Sequence, residues 1–327
     1  MATRFYLPSS GAADVTAQAY SASWYSTALA SKLKAVTSKI SSAMTNKSIS
    51  DSDSTDRHFC VGMWVSDPIA AQTIAAQTIG LVMRANEDLV ASNMFVHWTI
   101  RILDSAGNYR ATIPVAFRTD GSEVSPVGAG GEAYSRYDSD TSTSVACSDG
   151  DRIVIEAGLG GNPTSSDNHN SIAVIGDNSA TDLTTTDEVY SADNPWVNFA
   201  NTITFLAVPT VTTQSCSDVL DVSATGNGTI SVTNGNATRR GFCYMTGTSG
   251  NPTTANSVVY DDGDFGAGAY TKAITGLSPS TGYRVRAYVT NAAGTNYGAT
   301  VQLTTTATPE GQKRMGGVEF SINKGRW

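Results

Sequence analysis

Period-two alternation in short runs, each closed by Gly, Ser, Asn or Asp, does most to narrow what this chain can fold into. Phe95–Leu103 (FVHWTIRIL) shows it best, placing Val96, Trp98, Ile100 and Ile102 on one side of a strand. Similar runs occupy His58–Val65, Ile79–Ala85, Tyr109–Phe117, Arg152–Ala157, Ser171–Ile175 and Trp196–Leu206, and residues 32–45 alternate more loosely. About eight strands separated by turn signals predict a sandwich of two antiparallel sheets. Only Ile69–Ile79 (IAAQTIAAQTI) offers a spacing that a short helix could use.

Charge divides the same chain. Residues 1–207 hold 12 Lys/Arg against 22 Asp/Glu, residues 208–306 hold 5 of each, and residues 307–327 hold 4 against 2. Leu206-Ala207-Val208-Pro209 joins one strand-like run to the next, and TTTATPEGQ (304–312) has linker composition. The chain therefore divides into two sandwich domains, 1–207 and 208–306, and a short basic tail, 307–327. The net charge of −8 disfavours a nucleic-acid partner, which needs a basic face. No apolar run is long enough for a membrane helix, so no membrane partner is expected. MATRFYLPSS lacks the apolar core of a secretion signal, which points to folding in the cytoplasm.

The first domain resembles the jelly-roll-type domain of tailed-bacteriophage virion proteins. The likeness is carried by TRFYLPSSG (3–11), KAVTSKISSAM (34–44), WVSDPIAAQTI (64–74), GDRIVIEAG (150–158) and NPWVNFANTITF (194–205). It implies a jelly roll and a place in the virion, and it brings no functional residues with it.

Residues 208–306 contain about seven more strand-like runs. GLSPSTGYRVRAYVTNAAGTNYG (276–298), with RRGFCYMTGTSGNPTTANS before it, resembles the fibronectin type III-like repeats of bacterial surface and phage proteins. In that match Tyr283 is the corner tyrosine, whose hydroxyl bonds backbone just upstream. Val285, Ala287 and Val289 then face inward and Arg284, Arg286 and Tyr288 outward. The aromatic that such repeats carry in the second strand is missing near Val222–Ile230.

Residues with catalytic potential are few. His58 and His97 lie in strand-like runs, and His169 stands in SSDNHNS with no second His or Cys nearby in sequence. There is no G-x-S-x-G, P-loop or H-E-x-x-H, and VGAGGEAY (127–134) lacks the Lys of a phosphate loop. DSDSTD places Asp51, Asp53 and Asp56 at spacings calcium loops use, without the central Gly or terminal Glu of an EF-hand; solvated loops produce the same pattern. Asp-Gly at 149–151 and 261–264 signals turns. Cys60, Cys147, Cys216 and Cys243 are too sparse for a disulfide framework, and a cytoplasmic protein keeps them reduced even if Cys216 and Cys243 approach each other.

These features predict a non-enzymatic virion protein, a capsid decoration, tail or fibre component, needing no cofactor. Its partners would be copies of itself and other virion proteins. The candidate contact residues are Arg4, Phe5, Tyr6 and Leu7 in an N-terminal arm, cut off from the sandwich by Pro8 and a Ser/Gly break. The tail adds Val318, Phe320, Ile322 and Trp327. The alternative is an adhesin binding host-surface glycan, with Trp24, Tyr25, Tyr134 and Tyr137 as stacking candidates.

Overall fold

The computed structural model describes residues 2–14, 19–53, 55–89, 92–113, 117–119, 123–124, 134–161, 169–179, 181–185 and 193–309. The chain divides after Leu206 into two compact units. Every regular element among the described residues is a strand, so the class is all-β. No helix among them is long and apolar enough to cross a membrane.

The first unit holds β1 (Thr3–Tyr6), β2 (Ser31–Lys34), β3 (Thr45–Asp51), β4 (Arg57–Val65), β5 (Gln72–Ile74), β6 (Thr78–Glu87) and β7 (Met94–Leu103). The return path is β8 (Tyr109–Thr112), β9 (Arg118–Thr119), β10 (Tyr134–Thr141), β11 (Val145–Cys147), β12 (Arg152–Gly161), β13 (His169–Ile175) and β14 (Trp196–Phe199). The two paths pair as one nested antiparallel ribbon: Asp51 faces His169, Val65 faces Val154, Ile74 faces Val145, Ala85 faces Tyr134 and Leu103 faces Tyr109. Each step inward on one arm is matched on the other, so the ribbon runs back to the tight turn at Asp104–Asn108.

Rolled up, the ribbon makes two sheets, ordered β1-β14-β6-β13-β3 with β10 also on β6, and β2-β4-β12-β7-β8 with β9 on β7. This is the jelly roll. One pair departs from the antiparallel rule, because β2 runs parallel to β4. Leu81, Met83, Val197 and Phe199 from the first sheet and Trp98, Ile100, Ile153 and Ile155 from the second share one core. The alternation expected of FVHWTIRIL holds, but the opposite face of β7 is buried too.

Two expectations fail here. Ile69–Ile79 forms no helix: Ile69 bridges to Phe205, Gln72–Ile74 is β5, and β6 begins at Thr78. Strand partners at β11 and β6's neighbours satisfy the backbone that a short helix would have left half-paired.

The N-terminal residues also behave differently. Phe5 and Leu7 are fully buried in their own unit, with β1 paired to β14 from Thr3 to Tyr6. Phe5 packs edge-on against Phe199 and Phe205. Pro8 is no divider, because its carbonyl accepts a 2.8 Å hydrogen bond from Trp64 Nε1, and the Ser/Gly break turns the chain so that Ala12 meets Leu33. The Trp64 indole lies across Gly62, where a Cβ would come within 2.3 Å of the ring.

The second unit comprises β15 (Thr210–Ser217), β16 (Ser223–Val232), β17 (Ala237–Thr246), β18 (Ser257–Phe265), β19 (Gly268–Thr275), β20 (Gly282–Asn291), β21 (Gly294–Tyr297) and β22 (Val301–Thr304). A sheet ordered β15-β16-β19 faces one ordered β18-β17-β20-β21 with β22 on β20, the fibronectin-type sandwich. Its missing second-strand aromatic is made good from neighbouring strands. Gly226 of β16 lies under the Phe242 ring and Gly228 under Tyr270, with no room for a Cβ at either. Val285, Ala287 and Val289 are buried as expected. Tyr288 faces outward yet is also buried, beside Tyr297.

The Tyr283 hydroxyl accepts a 2.8 Å hydrogen bond from the Ser278 amide, closing the tyrosine corner. Tyr283→Phe should therefore lower the stability of this unit by about 1 kcal/mol. Chemical denaturation followed by circular dichroism checks it, and an unchanged midpoint would remove the corner from the account. Asn291 Nδ2 donates to the carbonyls of Ala207, Thr233 and Asn234, while Asn234 and Asn296 donate to Val208 and Pro209, so residues 207–209 are fastened to the second unit.

Candidate functional site

Alternation on the first jelly-roll sheet sends Phe5, Leu81, Val197 and Phe199 to the core and the residues between them to the outer face. Strand register then sets Tyr6, Trp196, Val82 and Tyr137 in one row across β1, β14, β6 and β10, with Arg4, Asn198, Gly80 and Ser139 in the next row. Gly80 has no side chain, and Tyr137 leans over it: a Cβ there would lie 2.8 Å from Tyr137 Cε2. The result is a recess of about 240 Å³ bordered by Arg4, Thr78, Gly80, Tyr137, Trp196 and Asn198.

A charged network stiffens one wall. The Arg4 guanidinium lies 4.1 Å over the Trp196 ring and donates to Asp182 Oδ2 at 2.8 Å. The Tyr6 hydroxyl donates to the same oxygen at 3.0 Å, and Lys39 Nζ sits 2.7 Å from Oδ1. Burial alone would raise the Asp182 carboxyl, but hydrogen bonds from Lys39, Tyr6 and Arg4 outweigh it and hold the carboxyl below its ordinary value. Trp196 Nε1 donates to Leu183 O at 2.7 Å, fixing the ring. Within this network two cations, Arg4 and Lys39, share the one carboxylate of Asp182.

The other sequence candidates separate. Trp24 is buried, its Nε1 donating to Glu156 Oε2 at 2.6 Å. Tyr25 is exposed, with Arg57 4.5 Å from its ring centre. The Tyr134 side chain and the tail residues Val318, Phe320, Ile322 and Trp327 lie outside the described residues. Among the described side chains of these four aromatics, only Tyr137 lines the recess. In the aspartate loop Asp51 and Asp53 both pair with Arg57, and Asp56 lies 3.0 Å from His58 Nε2, so a guanidinium provides the positive charge that a calcium loop would take from an ion. No group of three or more His, Cys, Asp or Glu suited to a metal occurs among the described residues. All four cysteines are free thiols, and burial raises each of them, Cys147, Cys216 and Cys243 to about 11.

Sequence reasoning passed over the buried charges. Glu156 of β12 is fully buried and pairs with Arg101 of β7, while Ser21 N and Trp24 Nε1 donate to it and Arg101 donates to Ala19 O. The signal was available as a charge inside each of two largely apolar runs, Glu156 in RIVIEA and Arg101 in FVHWTIRIL. Glu87 is also fully buried, accepting from the Met94 amide at 3.0 Å.

Two of these groups make stability depend on pH in opposite directions. Burial, with Glu123 adding to it, pushes the Glu87 carboxyl from 4.5 up to about 8. The folded state thus holds a proton that the unfolded chain lacks, a contribution complete below pH 4.5 and lost as pH rises through 8. Burial, reinforced by His58, takes His97 from 6.5 down to about 3, so its contribution is complete above pH 6.5 and lost as pH falls toward 3. We expect Glu87→Gln to flatten the fall in melting temperature between pH 6.5 and 8, where His97 no longer opposes it, and to leave the loss below pH 4.5 in place. A wild-type profile without a decline between pH 6.5 and 8 would refute this assignment.

The structure defines a class, a jelly roll followed by a fibronectin-type sandwich. The chain matches no protein-family profile and no curated protein. Among solved structures it is similar to the sensor domain of the anti-sigma factor RsgI4 from Pseudobacteroides cellulosolvens, at 16% identity over 32% of this chain and 99% of that one, with a TM-score of 0.25. It is also similar to the FN1–FN3 domains of chicken CNTN1, at 14% identity over 66% of this chain and 57% of that one, with a TM-score of 0.26.

Proposed function

We propose that the protein is a non-enzymatic structural component of a phage virion, built into the particle by its jelly roll and displaying its fibronectin-type domain. The observation that supports this reading is the fit between resemblance and fold. The phrases shared with virion proteins lie on β1, β4, β12, β14 and the segment after β2, and those strands belong to the jelly roll that the resemblance implies. With Phe5 and Leu7 spent on the protein's own core, the contact surface toward neighbours passes to other residues. The tail, with Val318, Phe320, Ile322 and Trp327, is the remaining apolar candidate, since each such side chain buried contributes about 1.5–3 kcal/mol.

The test is particle composition. Density-gradient-purified particles carrying the chain in stoichiometric amount support the reading, and particles without it defeat it. Phe320→Ala with Trp327→Ala should reduce incorporation more than Lys324→Ala with Arg326→Ala, because exposed ion pairs contribute under about 1 kcal/mol each. Equal losses would assign the contact to charge.

A further inference from the structure

We propose that the recess beside Gly80 binds a single pyranose residue of a saccharide, with Tyr137 as its aromatic wall and Arg4, held over the buried Trp196, as its principal hydrogen-bond donor. This goes beyond the structural role and stands or falls independently of it.

Three features of the recess point to that ligand class. The first is its shape. At about 240 Å³ it lies below the range of drug-sized sites and suits one small ring. Glycine at the outward position of β6 between Asn198 and Ser139 lets the Tyr137 ring lie down over the sheet and form one wall of the hollow. The second is its chemistry. The half-buried Tyr137 ring stands beside Thr78, Asn198 and the Arg4 guanidinium that covers the buried Trp196, so apolar ring surface and hydrogen-bonding groups meet within one hollow. A pyranose needs both, because its C–H faces pack on aromatic rings while its hydroxyls demand donors and acceptors. The third is rigidity. Trp196 is held by Leu183 O on one side and by Arg4 above, and Arg4 is held by Asp182, so the wall is ordered before a ligand arrives. Arg4 gives one of its five donors to Asp182, and its remaining N–H groups can reach a pair of vicinal hydroxyls or a sugar carboxylate.

The wild-type chain should be screened by saturation-transfer NMR against methyl hexosides, N-acetylglucosamine and glucuronate, and the strongest binder titrated. We expect saturation transfer to at least one of these sugars. Gly80→Ala, which sets a methyl against the Tyr137 ring, should abolish it. Arg4→Ala should weaken it about tenfold or more, the worth of a hydrogen bond to a charged group. A preference for glucuronate assigns Arg4 to a carboxylate, and a preference for a neutral sugar assigns it to hydroxyls. Melting curves of both variants accompany the titrations, and Thr78→Val serves as a second variant that removes a rim hydroxyl without touching the core. No transfer from any of the sugars, or binding that survives Gly80→Ala and Thr78→Val in folded protein, overturns the proposal. Neither outcome affects the particle-composition test.

Discussion

Phe5→Ala destabilises the first unit by about 3–5 kcal/mol, and removal of residues 1–8 prevents it from folding. The effect is large because Phe5 is fully buried between Phe199 and Phe205, so its truncation removes core contacts and opens a cavity. Deleting the segment also strips backbone partners from Val36, Gly176 and β14, the hydrogen bond that seats Trp64, and the Thr3 hydroxyl that receives the Ile203 amide. Tryptophan fluorescence during urea unfolding is the suitable measurement, since Trp24, Trp64, Trp98 and Trp196 all lie in this unit. A truncated chain with the wild-type midpoint would show that β1 is an accessory.

Arg101→Met costs a comparable amount, about 3–5 kcal/mol, by leaving Glu156 buried without its counter-charge. The pair lies on the outer face of the second sheet, roofed by the segment from Ala19 to Trp24. Adding Glu156→Gln should recover at least half of the loss. The amide is neutral and keeps an oxygen for Trp24 Nε1 and Ser21 N, so the roof stays attached. The denaturation midpoints of wild type, both single variants and the double variant form a cycle that isolates the pair. Additive single effects would mean that the two side chains stabilise the fold separately.

Much of the architecture was legible because strands declare themselves locally. Alternation in FVHWTIRIL and RVRAYV, turn residues between runs, and the charge step near residue 207 each depend on a few neighbouring positions. The corner Tyr283 was legible for the same reason, since its partner, Ser278, is five residues away.

What the sequence by itself determined, then, is the all-β class, the division near residue 207, the inward residues of the regular strands and the corner of the second unit. Only the tertiary structure decided which strands meet, and every surprise follows from that. Arg4 and Asp182, Arg101 and Glu156, and Trp64 and Pro8 are joined by rolling the ribbon, not by proximity along the chain. The same pattern TRFYLP suits an exposed arm or a strand beside β14, and the choice rests on an open sheet edge that no local pattern records. The recess is the extreme case: Gly80 lets Tyr137 lie over the sheet, and the recess forms only where three other strands set Arg4, Trp196 and Tyr137 around that glycine. Local patterns reach as far as local interactions do, and in a jelly roll most of the stabilising contacts are distant in sequence.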